Sequence, residues 1–110
     1  MPRIGQLRET VEIQASSRGP TDSGGQLETW ALAHRCRARV EPLTGAERLE
    51  AEQLVAAQGY RVTIRRPPSI EIKTTHRILW SGRVLTIAAV QNLDERGRFL
   101  AILADDQGLA

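Results

Sequence analysis

Residues 30–42 read WALAHRCRARVEP, and the parity of this run sets the architecture. Trp30, Leu32, Cys36, Ala38 and Val40 fall on even positions, while Arg35, Arg37, Arg39 and Glu41 fall on odd ones. Apolar and polar residues alternating with period two describe a strand with one dry and one wet face, not a helix. At ~3.4 Å per residue such a strand outreaches the height of a small barrel, so it either bends or leaves the body of the domain. Pro42 ends it, because proline has no N–H for a ladder.

Working outward from that strand, Ser17–Pro20 and Asp22, Ser23, Gly24 and Gly25 form a polar, breaker-rich reversal that tolerates positive φ. Before it, Val11 and Ile13 alternate with Glu12 and Gln14 as a first strand. After Pro42, Thr44 and Glu47 have the spacing of a capping box, Ala46 to Ala57 favours helix, and Gly59 is placed to stop it. Tyr60, Val62 and Ile64 give a third strand that ends before Pro67 and Pro68, and Ile70 and Ile72 continue an apolar face beyond that break. In HRILWSGRVLTI, residues 76–87, Ser81 and Gly82 suit a two-residue hairpin turn. A polar loop over Asn92–Arg98 leads to a last strand, Phe99 to Leu103, with residues 105–110 expected to fray like the N-terminal arm 1–9. The sum is a mainly β fold, a small antiparallel β-barrel or sandwich of about six strands in one domain over 1–110, with one short helix in a long inter-strand excursion.

Composition narrows the functions. The chain has 110 residues, 41% of them hydrophobic but only 4% aromatic, so its core must be built from Val, Ile, Leu and Ala. A formal charge of +2 is too small for a protein that coats nucleic acid. Cys36 is alone, which excludes an intrachain disulfide and a cysteine zinc site. Residues 1–10 hold no apolar run of signal-peptide type, and no stretch nears the ~20 apolar residues of a membrane span, so no membrane partner is expected.

The chemistry-bearing residues are sparse. His34 and His76 lack a second histidine or cysteine at metal-ligand spacing, and Cys36, on the apolar parity, reads as a small hydrophobe. There is no nucleophile elbow, phosphate loop or paired-carboxylate motif. The expectation is a protein that is not an enzyme and uses neither cofactor nor metal. One rival is an OB-like nucleic-acid barrel, with Arg61, Arg65, Arg66, Arg77 and Arg83 on phosphates and Tyr60 or Trp80 stacked on bases.

The order of features points elsewhere. G-x-L at Gly5 and Leu7, a VEI strand, D-x-G-G with a following tryptophan, V-E-P-L-x-G-x-E over Val40 to Glu47, Y-x-V-x-I-R over Tyr60 to Arg65, and H-R-I-L-W-x-G-R before an R-G-R turn span nearly the whole chain. In this order they resemble the phage head-tail joining family, the head-closure or stopper proteins of tailed phages, prophages and gene transfer agents. The resemblance implies a structural virion neck protein, assembled in the host cytoplasm, whose β-barrel subunits form a ring, commonly of twelve. The ring would sit below the portal and its adaptor and above tail completion or tail tube proteins, close the head and gate double-stranded DNA passing through its channel. It places a channel or gating segment at Glu41, Thr44, Gly45, Glu47, Arg48, Glu50 and Glu52. It makes Asp22, Gly24, Gly25 and Trp30 an interaction loop with its anchor. Another neck component, such as a tail completion protein, is the neighbouring alternative.

Overall fold

The computed structural model describes residues 7–20, 26–43, 59–94 and 96–110. These hold six strands: β1 (Glu9–Pro20), β2 (Gln26–Pro42), β3 (Gly59–Arg65), β4 (Arg77–Trp80), β5 (Arg83–Asn92) and β6 (Phe99–Leu109). All neighbours are antiparallel, and the order β1-β2-β3-β6-β5-β4 closes through pairing of β4 with β1, giving a barrel. The mainly β expectation holds. The helix expected over Ala46 to Ala57, with its capping box, lies outside the described residues, and Gly59 is the first residue of β3.

Inward-facing aliphatics fill the barrel. Val11, Ile13, Ala38, Val62, Ile64, Ile78, Leu85, Ile102 and Ala104 are wholly buried, as composition required of a core poor in aromatics. Cys36, Val40, Tyr60, Ile70, Trp80 and Val90 pack around them, half-buried. β6 is buried on both faces along 99–105, which explains why FLAILA runs apolar without alternation.

The two ends differ. Gln14, Arg65, Arg77, Asn92 and Phe99 lie at one end, and Glu9, Pro42, Gly59, Trp80 and Arg83 at the other. At the second end β4 and β5 are joined by Ser81 (φ 52°) and Gly82 (φ 76°), the paired positive φ values of the expected two-residue turn. At the first end residues 66–76 cross over the barrel, burying Pro67 and Ile72.

The long strand does leave the body. β1 pairs with β4 only over Glu12–Gln14, and β2 pairs with β3 only over Ala38–Pro42, so residues 15–20 and 26–33 project as a two-stranded ribbon. At its root Ile13 opposes His34 while Gln14 opposes Leu32, which leaves Ala33 as a β-bulge. The extra residue inverts parity. Trp30 and Leu32 therefore turn to the outer face with Gln14, instead of sharing the inner face with Cys36, Ala38 and Val40 as the sequence suggested. Leu32 is accordingly 53% exposed.

Two further expectations are corrected. Residues 105–109 are not a frayed tail but the end of β6, paired with β5. The Asp106 carboxylate takes Arg83 Nε–H at 2.8 Å and the Gly108 N–H at 2.8 Å, and Gly108, at φ +103°, completes a bulge at Gln107 that no plain sequence rule signals. At the other terminus Leu7, placed in a flexible arm from sequence, is buried, and its carbonyl accepts from Arg37 Nε at 3.3 Å.

Candidate assembly interfaces

Of the sequence-derived site residues, Trp30 and Glu41 are among the described residues, and they fall at opposite ends of the barrel. Trp30 and Glu41 sit on one strand eleven residues apart, about 37 Å at the ordinary strand rise. The structure therefore keeps these two residues apart. It makes the barrel bipolar, with a ribbon leaving at one end and, at the other, the ends of β2 and β3 between which residues 44–58 lie in sequence.

At the ribbon end Trp30 is fixed, not free. The Arg77 guanidinium lies 4.2 Å from the centroid of its ring, and Arg77 Nε donates to Gln14 Oε1 at 2.7 Å. One cation thus ties β4, β1 and β2 together at the ribbon's root, a contact of about 0.5–1 kcal/mol at a partly exposed site. Further out, Ser17 and Thr29 hydroxyls meet at 2.9 Å on one face, and Arg18 pairs with Glu28 at 3.3 Å on the other. Asp22, Gly24 and Gly25 lie outside the described residues. The sequence reading missed Leu27 and Leu32, which stand 57% and 53% exposed on opposite faces of the ribbon. Their signal was visible as apolar residues in a strand too long for the barrel.

At the other end the Leu43 N–H donates to the Gly59 carbonyl at 2.9 Å, holding together the two points between which 44–58 is spliced. Glu41 is half-buried, and its carboxylate pairs with Arg39 at 3.2 Å, so its charge is already partly met. Thr44, Gly45, Glu47, Arg48, Glu50 and Glu52 lie outside the described residues. Beside this end Tyr60 and Trp80 meet edge to face with centroids 5.1 Å apart.

Five of the residues proposed for a nucleic-acid groove are engaged elsewhere. Tyr60 and Trp80 pack on each other and on the core, Arg66 Nη2 donates to Asn92 Oδ1 at 2.6 Å, Arg83 holds Asp106, and Arg77 holds Trp30. An open cleft of about 630 Å³ between 66–72 and the ends of β5 and β6 is lined by prolines and aliphatics together with Ser69, Glu71, Gln91 and that Arg66–Asn92 pair.

Catalytic chemistry finds little to work with. Burial pushes the Cys36 thiol up to about 11, so at neutral pH it is protonated and a poor nucleophile. His76 Nδ1 accepts the Lys73 N–H at 3.1 Å within a turn, and burial with the Lys73 charge lowers its pKa. Among the described residues no group of three His, Cys, Asp or Glu side chains is placed to hold a metal ion.

Residues 2–107 match the family described as phage head completion protein. The chain belongs to that family. It is a structural, virion-associated protein of the phage head–tail type. Among solved structures it is similar to protein SF1141 from Shigella flexneri 2a, at 30% identity and a TM-score of 0.74, over 96% of this chain and 97% of that one. It shares its fold with a chain from the virion of a native gene transfer agent particle, at 18% identity and a TM-score of 0.70, over 99% and 98%. No curated protein matches.

Proposed function

We propose that this head completion protein is a ring-forming neck subunit that closes the DNA-filled head below the portal and adaptor, gates DNA exit and offers the tail its docking surface. The observation that carries the reading is bipolarity. A filled barrel spaces a projecting ribbon at one end from the paired attachment points Leu43 and Gly59 at the other, as a part that joins two different structures requires. A ring is built from heterologous contacts, in which one patch meets a different patch on the next copy. Family membership and likeness to a chain of a gene transfer agent virion support the setting, and twelve copies is the number we propose for the assembled neck.

The 44–58 segment is the gate in this reading. It carries Glu47, Glu50 and Glu52 against Arg48. Repeated around a ring, that excess gives the channel a negative lining that repels phosphates, so DNA slides instead of sticking. The ribbon, with Trp30 at its root and Asp22, Gly24 and Gly25 beyond its described part, is the interaction arm. Deleting Thr44 to Ala56 tests the gate: subunits should fold and assemble, but filled heads should leak DNA. Full DNA retention would remove the gate assignment.

A further inference from the structure

A closed barrel has no sheet edges, yet this one carries two. Among the described residues, β1 beyond Gln14 pairs with β2 alone, and β2 before Ala38 pairs with β1 alone. Each side of the ribbon therefore presents backbone donors and acceptors to solvent. Proteins ordinarily guard such edges with lysines, prolines or bulges inside the strand. Here the span Leu27–Leu32 contains one charge, Glu28, and no lysine or proline, the bulge at Ala33 lies beyond it, and on the β1 edge Arg18 and Pro20 stand only in the outer half, after Ala15–Ser17.

We propose that neighbouring copies join ribbon to ribbon, the β1 edge (residues 15–20) of one adding to the β2 edge (27–33) of the next. The inference rests on the ring reading above and names its contact. Three features favour a second copy as the occupant. Ribbons pointing the same way present β1 and β2 in opposite directions, so the new ladder is antiparallel like every other in the fold. The edges are complementary in charge. Arg18 and Glu28 already pair within one ribbon at 3.3 Å, and the same register between copies sets every Glu28 between two arginines. Leu27 and Leu32, more than half exposed in the single chain, would each be flanked on the open side by the neighbouring strand. The contact is heterologous and closes by rotation. Two strands per copy at about 4.8 Å spacing add ~10 Å of circumference, so twelve copies give a backbone ring ~37 Å across, with space for duplex DNA inside the side chains.

The test uses two variants in a Cys36→Ser background, Ser17→Cys and Thr29→Cys, each alone and mixed, in assembled particles under mild oxidation. The expected result is a disulfide-linked dimer in the mixture, one Ser17→Cys chain joined to one Thr29→Cys chain, and none with either variant alone. A Ser17→Cys dimer formed by itself would mean like edges meeting about a two-fold axis, and would overturn the proposal. Leu27→Lys/Ala31→Lys gives an independent arm, because charges on the edge block strand addition while leaving the barrel untouched. Sedimentation should show a folded monomer that has lost the ring. A ring formed as by the wild type would overturn the proposal, whereas a wild-type chain that forms no closed oligomer on heads would instead sink the ring reading and this contact with it.

Discussion

Deletion of Ala33 separates folding from aim. Ala33 is the unpaired residue of the ribbon-root bulge, so removing it leaves all twelve β1–β2 pairs, from Glu9↔Ala38 to Pro20↔Gln26, intact. The faces are also preserved, because without the extra residue Leu32 follows His34 directly in the regular ladder. What disappears is the local bend and added twist of a bulge. Residues 15–20 extend ~20 Å, and a change of about 20° at their root, the size of one inter-strand twist step, swings the far end by ~7 Å. The contact most at risk is Arg77 on Trp30, worth about 0.5–1 kcal/mol. Loss of that contact would lower the Tm by about 4 °C. The expected outcome is thus a barrel melting within a few degrees of the wild type, measured by circular dichroism, with head–tail joining lost in a complementation assay scored by electron microscopy. Joining at wild-type efficiency would refute the idea that the bulge aims the ribbon. Loss of several kcal/mol would show instead that Ala33 helps close the barrel.

Other predictions follow from individual contacts. Gly97 has φ +63°, and a Cβ there would lie 3.2 Å from Arg66 Nη2, so Gly97→Ala should cost about 1–2 kcal/mol by chemical denaturation and disturb the Arg66–Asn92 bond. The Arg83 bond, against some opposing desolvation, holds the Asp106 carboxyl below its ordinary range. A depressed carboxyl contributes stability that is present above its unfolded pKa and lost as pH falls through the folded one, so an acid titration should weaken the wild type more steeply than Asp106→Asn below about pH 4. The Cys36 thiol, raised to about 11, should resist alkylation at pH 8 in the folded chain and react at the ordinary rate in denaturant.

Much of the fold could be read from the chain because local chemistry and tertiary demand agree there. Ser81–Gly82 announces a tight turn since only such residues accept paired positive φ, and Pro67–Pro68 ends β3 since proline cannot donate to a ladder. The bulge was illegible for the opposite reason. Ala33 fits an alternating pattern as well as any neighbour, so an unbroken even parity from Trp30 to Val40 hid a change of face. Residues 105–109 misled because their polarity suggests solvent, whereas Asp106 is satisfied by Arg83, 23 positions earlier. For the candidate interfaces, Trp30 could be singled out, but its partner Arg77 arrives from β4, and no spacing rule links the two. Exposure of Leu27 and Leu32 is a property of the ribbon leaving the body, which strand length hinted at without saying which residues would be left uncovered.

The solid interior of the barrel settles what kind of component the protein can be. With Val11, Ile64, Ile102 and their neighbours leaving no lumen, no polymer threads a single copy. In the proposed ring the bore belongs to the spaces between copies, with each chain a stave of a cask, not a length of pipe. Variants that plug or widen the bore should therefore map to outward surfaces, and the oily centre of the stave should matter only for keeping it straight.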